Sequence, residues 1–466
     1  MKLSFLGAAQ NVTGSRYFLE ANSVRLLVDC GLYQERELRR RNWDPFPVPP
    51  DTIDAVLLTH AHLDHCGLLP RLAREGFGGR IYCTAATSDI SRIVLLDSAH
   101  LQEEDAEFKR KRHEREGRKG RYPEIPLYTT DDARASLPLF LPVGYEEPTQ
   151  IGDGIEATFY DAGHILGSAM IRLKLNRNGE ERTILFSGDI GRWGKPILRD
   201  PTLFDQADYV LMESTYGDRL HKDRRGIDEM LAENINSTQK GGGNILIPSF
   251  AVERSQEVLY HLNNLLIDNH IPHLMVFIDS PMAISVTEVF EHHPGLFDEE
   301  MIELIRRRRS PFDFPGLNMT RTVDESKAIN HITGTVAIIA GSGMCTGGRI
   351  KHHLVNNISR PESTILFVGY QAVGTLGRHI VNGAKEIRIL GQTYPVRAKV
   401  VQINGFSAHA DRDELFKWVS GLHKPPRHLF VTHCEPNAGR YFGDFLRERT
   451  NWRISMPRYQ DEVVLD

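Results

Sequence analysis

The sequence predicts an α/β protein in which a doubly wound parallel-sheet domain interrupts a second, sheet-rich domain. Three observations predict it: strand-like runs broken by Gly, Asn and Pro fill both ends of the chain, strands and helices alternate at βαβ spacing through the middle, and no long Gly/Ser linker separates the parts. The 466 residues suffice for two or three domains of roughly 150 residues each. A net charge of −5, with 25% charged and 41% hydrophobic residues, excludes disordered and fibrous classes and leaves any nucleic-acid partner to a local basic patch.

Taken in order, short apolar runs predict strands over 2–7, 24–29, 55–59 and 81–84. The opening run is short, broken by Gly7 and followed by Gln10 and Asn11, which reads as a strand and not as a secretory leader. A polar helix is expected over about 88–119, ending in the charge run Lys109-Arg110-Lys111-Arg112-His113-Glu114-Arg115, read as a solvated face in preference to an RNA contact. Strands resume over 154–160, 170–175, 183–186 and 209–212. In the middle, 244–248 leads into a helix over 254–265, 274–278 into a helix after Pro281, and 335–340 into a third. That alternation predicts a parallel sheet. Strands over 398–403, 429–432 and 453–456, around a helix starting near Asp411, return to the style of the first segment. The expected boundaries are 1–216 and 395–466 for the interrupted domain and 217–394 for the insertion.

Five cysteines, Cys30, Cys66, Cys83, Cys345 and Cys434, form no C-x-x-C pair, which disfavours a disulfide framework and favours a reducing, cytoplasmic location. No stretch approaches the roughly 20 apolar residues of a membrane helix, so no membrane partner is expected.

The densest chemistry is Thr59-His60-Ala61-His62-Leu63-Asp64-His65, directly after an apolar strand. An isolated histidine is ordinarily structural, but three imidazoles and a carboxylate in one loop predict a metal site. His60 and His62 are placed on one ion, Asp64 and His65 on a neighbouring one. His164, Asp189 and His433 each follow an apolar strand and supply the remaining ligands, with Asp189 able to bridge. Mixed imidazole and carboxylate donors suit zinc, with manganese also accommodated, and two ions per chain are expected.

These residues carry a family resemblance. His60-x-His62-x-Asp64-His65, His164, Asp189 and the strand-end Asp29 resemble the motifs of the metallo-β-lactamase superfamily, in its order. Glu213-Ser214-Thr215-Tyr216-Gly217, Phe406-Ser407-Ala408-His409-Ala410-Asp411 and Val431-Thr432-His433 resemble motifs A, B and C of its β-CASP subfamily. Phe250-Ala251-x-x-Arg254-x-Gln256-Glu257, Ser280-Pro281-Met282-Ala283 and Ser342-Gly343-Met344-x-x-Gly347-Gly348-Arg349 are similar to its inserted domain. The resemblance spans essentially the whole chain. It implies a metallo-β-lactamase αββα sandwich carrying a doubly wound β-CASP domain.

The pattern is nearest to prokaryotic RNA-processing nucleases similar to the endonuclease subunit of the cleavage and polyadenylation machinery. It implies a two-zinc ribonuclease, mainly endonucleolytic with 5′ exonucleolytic cleavage as a second mode, with single-stranded RNA as partner. The sequence does not fix the oligomeric state, and a homodimer is the assembly to test. Asp64 is then the general base or orienting group, and Asp29 holds a ligand histidine from behind. His409 contacts phosphate and protonates the leaving group, with Glu213 as its carboxylate. The Gly-rich turn bearing Ser342, Gly343, Met344, Gly347, Gly348 and Arg349 is expected to cradle an RNA phosphate. Arg306-Arg307-Arg308-Arg309 reads as a solvated helix end. Cys434 stands where relatives commonly have glycine, as a small-residue substitution or as a thiol at the metal site. The competing readings are a thioester or lactone hydrolase and a non-catalytic RNA-processing scaffold.

Overall fold

The computed structural model describes residues 1–120, 122–177, 179–221 and 226–466. The chain divides into two compact units, the first comprising Met1–Gly194, Asp200–Leu220 and His409–Asp466, the second Lys195–Arg199 and His221–Ala408.

The first unit contains two seven-stranded sheets. One runs in the order Glu462–Val464, Lys2–Phe5, Tyr17–Ala21, Val24–Val28, Ala55–Leu57, Arg80–Thr84, Phe140–Val143. The other runs Ile454–Ser455, His428–Thr432, Tyr209–Glu213, Glu180–Phe186, Ala169–Arg177, Ile155–Asp161, Thr149–Gly152. Period-two alternation gives the central strands two apolar faces. Leu26 and Val28 join Leu3, Phe5, Phe159, Phe186 and Phe430 in the core shared by both sheets, while Leu27 turns outward to meet Leu69, Leu72 and Leu95. Those last three belong to the helices Leu69–Arg74 and Ala85–Glu116. On the other flank, Leu415 and Trp418 of Arg412–Val419 and Phe442 and Leu446 of Pro436–Thr450 cover Leu185, Val210 and Val431. The layering is the αββα sandwich.

In the second unit, six strands form an all-parallel sheet in the order Leu317–Met319, Met275–Ile278, Val336–Ala340, Ile245–Pro248, Thr364–Phe367, Lys399–Gln402. The expected return at 395 falls inside this unit. Lys399–Gln402 pairs in parallel with Thr364–Phe367, so residues up to Ala408 pack with the insertion. Lys195–Arg199 was also expected with the flanking domain, yet it packs with the second unit, where Leu198 bridges Phe297. Among the described residues no helix is long and apolar enough to cross a membrane.

Candidate metal centre

All seven anticipated ligands lie in the first unit, on loops at the carboxyl ends of its strands. The loop after Ala55–Leu57 turns into the one-turn helix Leu63–Cys66. Its backbone is clasped by Ser15, Cys30 and Leu32, whose N–H groups donate to the carbonyls of Asp64, His65 and Leu63 at 2.8, 2.7 and 2.8 Å. Gly31 permits this approach, since a Cβ there would lie 1.6 Å from the Asp64 carbonyl oxygen. His164 sits in a tight turn whose N–H groups donate to Ser168 Oγ. His433, directly after His428–Thr432, takes a left-handed φ of 49° and donates its N–H to the Ala8 carbonyl at 2.7 Å.

The donors fall into two groups. His62 Nδ1 lies 3.1 Å from His60 Nε2 and 3.2 Å from His164 Nε2, and Asp189 Oδ2 lies 3.4 and 3.6 Å from the same two nitrogens. His65 Nε2 and His433 Nε2 are 3.1 Å apart, and Asp64 Oδ2 is 3.6 Å from the latter. Asp189 Oδ1 faces this second group, 3.4 Å from His65 Nε2 and 3.6 Å from His433 Nδ1. Ligand bonds of 2.0–2.1 Å around a tetrahedral zinc set donor atoms roughly 3.3 Å apart, so both groups have the spacing of ligands on a shared cation. Asp189 Oδ1 is buried without a hydrogen-bond partner, which a cation would supply. The residues present therefore fit the metal.

The charges within the cluster are strongly coupled to burial. Burial, reinforced by His65, drives His60 well below the usual imidazole range, and burial pulls His62 down to about 4. Burial opposes ionisation of Asp189 as well, yet His433, His65 and His60 hold it well below the normal carboxylate value. Asp64 is likewise held at about 2 by its bond to His433 and by His65, against its burial.

Asp29, itself at a left-handed φ of 60°, accepts from Ser15 Oγ, the Thr59 N–H and hydroxyl, and pairs with His65 Nδ1 at 2.7 Å. That contact leaves Nε2 as the atom His65 turns toward His433. Thr59 and Thr215 stand inside the quoted motifs with no role assigned to them. Thr215 Oγ1 donates to Glu213 Oε2 at 2.5 Å and lies 3.1 Å from His433 Nδ1, tying motif A to motif C. The only signal for either was a hydroxyl residue beside a motif carboxylate or imidazole.

His409 Nδ1 is 3.2 Å from Glu213 Oε1 and 3.9 Å from Asp189 Oδ2. Burial lowers its proton affinity, but the Glu213 carboxylate outweighs that and holds it up at about 9. A short antiparallel bridge to Gly191 sets the imidazole in place, and the helix that follows, Arg412–Val419, is capped by Asp411 and Glu414 in a reciprocal box. Cys434 belongs to none of the donor groups and is buried in the core with Met212, Phe442 and Leu446. Burial pushes its thiol up to about 11.

In the second unit the Gly-rich turn, expected to cradle a phosphate, is held by bonds of its own. Ser342 Oγ accepts from the Thr346 and Gly347 N–H groups at 2.9 and 3.3 Å, while the N–H groups of Ser342 and Cys345 donate to the Gly347 and Ser342 carbonyls. These four donors hold the turn itself. Arg349, anticipated as a substrate contact, pairs with Asp279 Oδ1 at 2.6 Å and donates to the carbonyls of Thr320 and Arg321. Gly343, Met344 and Gly348 remain around a turn whose geometry is internally fixed.

An αββα sandwich with imidazole and carboxylate donors grouped at its strand ends defines a metallo-hydrolase. Family models agree: a metallo-beta-lactamase superfamily domain matches residues 18–209, a Beta-Casp domain residues 255–380, and a Zn-dependent metallo-hydrolase RNA specificity domain residues 393–457. The chain is 38% identical to ribonuclease TTHA0252 of Thermus thermophilus over 99% of its own length and 100% of that protein. It is 31% identical to transcription termination factor FttA of Methanocaldococcus jannaschii, covering 99% of this chain and 71% of that one. An RNase J-like protein of the same archaeon is also 31% identical, over 93% of this chain and 92% of its own. A crystal structure of a protein of unknown function from Enterococcus faecalis V583 shares the fold, with a TM-score of 0.55 at 11% identity over 100% of this chain and 99% of that one. The chain belongs to the β-CASP family of the metallo-β-lactamase superfamily.

Proposed function

We propose that this protein is a ribonuclease that hydrolyses phosphodiester bonds of single-stranded RNA, mainly endonucleolytically, with two zinc ions per chain. The observation that carries the two-ion reading is Asp189, whose two oxygens face different donor groups. His60, His62, His164 and Asp189 would hold one ion, and Asp64, His65 and His433 the other, with Asp189 Oδ1 turned toward it. Bound there, the ions supply a nucleophile at neutral pH and neutralise phosphoryl charge. The chain's own residues do the rest. Asp29 fixes the ring of His65, Asp64 orients the attacking water, and His409, kept protonated by Glu213, donates a proton to the departing alkoxide oxygen. Full-length similarity to a protein named ribonuclease supports RNA as substrate. The five buried free thiols fit a reducing, cytoplasmic setting.

Metal analysis of the purified protein, followed by incubation with end-labelled RNA, single-stranded DNA and a chromogenic ester, tests this reading. Two zinc ions and internal cleavage of RNA are expected. Ester hydrolysis far exceeding RNA cleavage would assign a small-molecule hydrolase, and two bound ions without hydrolysis of any substrate would leave an RNA-processing scaffold.

A further inference from the structure

The helix Ala85–Glu116 runs for 32 residues, and its second half has two distinct faces. Ala99, Ala106 and His113, spaced by sevens, are buried. Ala99 packs with Tyr128 and Ala133, Glu103 accepts from the Thr130 N–H at 2.8 Å, and His113 pairs with Glu124 at 2.5 Å, so this face is used by the chain itself. Leu101 and Phe108, also seven apart, stand on the opposite face and are 53% and 65% exposed. At 100° per residue, Glu104, Asp105, Lys111, Arg112 and Arg115 share that face, and all five are exposed. Acidic residues precede Phe108 and basic residues follow it.

We propose that this face pairs antiparallel with the same helix of a second copy of the chain, about a two-fold axis at Phe108. The order of charges selects that partner. Around such an axis Phe108 meets Phe108, Glu104 faces Arg112, Asp105 faces Lys111, and the Arg115 stem covers Leu101. A parallel pair would set acid against acid. A nucleic acid would meet Glu104 and Asp105 as readily as the basic half. Within one chain these charges already form i,i+4 pairs, His100 with Glu104, Lys109 with Asp105, Lys111 with Glu107 and Arg112 with Glu116, but the pairs are exposed and contribute little, so exchanging them across an interface costs little. Two large apolar side chains presented to solvent, set among charges of self-complementary order, are what a two-fold contact would cover.

Sedimentation equilibrium of the full chain tests the proposal. A dimer is expected whose dissociation constant rises at least about tenfold between low and high salt, because charges at the rim are screened. Phe108→Asp should sediment as a monomer. Glu104→Lys/Asp105→Lys and Lys111→Glu/Arg112→Glu should each be monomeric alone and form a one-to-one dimer when mixed. Since all five native cysteines are buried, Phe108→Cys should cross-link two copies on oxidation. Leu101→Cys should cross-link with Arg115→Cys and not with itself. A wild-type monomer at every concentration, or failure of the mixed charge-swap pair, would overturn the dimer. If Lys111→Glu/Arg112→Glu instead weakens RNA retention with the mass unchanged, the helix is an RNA contact and the proposal is wrong.

Discussion

His409 turns Nδ1 to Glu213 Oε1 at 3.2 Å, and Glu213 is itself anchored by the Ile190 N–H at 2.7 Å and by Thr215. The pair is aligned by backbone and hydroxyl contacts that no substrate has to induce. His409→Ala should keep its metal content and RNA affinity while turnover falls by roughly 10²–10⁴, the range of a general acid. A substrate with a good leaving group should lose far less. Loss of metal, or equal slowing of both substrates, would make His409 a ligand or a plain phosphate contact.

Asp189 turns Oδ2 to His60 and His164 and Oδ1 to His65 and His433, whereas His164 Nε2 faces the first group alone. Asp189→Ala should lower occupancy at both positions, and His164→Ala should leave one ion per chain. Metal content after gel filtration, by elemental analysis, distinguishes the two. One ion per chain in the fully active wild type would remove the two-ion account.

Asp29 pairs with His65 Nδ1 at 2.7 Å without belonging to either donor group. Asp29→Asn tolerates the same left-handed backbone but lacks the charge that orients the ring. Metal affinity should fall about 10–100-fold in competition with a chelator, with the ion count at saturation unchanged.

Lys195 Nζ lies 3.6 Å from Glu253 and 3.5 Å from Glu257 in the second unit, all three side chains being almost fully buried. Lys195→Ala removes the cation that these two buried carboxylates share, Glu257 keeping only Arg254 at 3.7 Å among the described ion pairs, and should cost about 3–5 kcal/mol. Lys195→Met combined with Glu253→Gln and Glu257→Gln should recover a large part. Midpoints of urea unfolding report both.

Burial, with Arg453 nearby, holds His428 down at about 4. The unfolded chain takes up that proton near 6.5, so the stability His428 contributes is fully present above roughly pH 6.5 and is lost as pH falls toward 4. His428→Gln should therefore flatten the decline in Tm between about pH 7 and pH 5. An unchanged slope would show that other groups govern acid sensitivity.

Much of this was legible in the sequence, for a physical reason. His60, His62, Asp64 and His65 lie in one loop after a strand of the first sheet, and His164, Asp189 and His433 each follow a run apolar enough to be a strand of the second, so their grouping at the carboxyl ends of strands follows from α/β architecture. Membership of strands was not legible. Tyr17–Ala21 is defined by its hairpin with Val24–Val28, and Lys399–Gln402 by its partner Thr364–Phe367, which its own four residues do not encode. The same holds for Arg349. Composition put a guanidinium beside a glycine-rich turn, but only the tertiary position of Asp279 decides that it pairs inward.

His65 and His433 touch across 368 residues of sequence. A ribosome adding 5–20 residues per second needs roughly 20–70 s to travel from one to the other. Throughout that interval the emerging polypeptide carries His60, His62 and His65 but lacks the last imidazole of the second group. The complete ligand set exists only once residue 433 has been added. A growing copy therefore stays incomplete at its metal centre while it is still tethered to the message that encodes it.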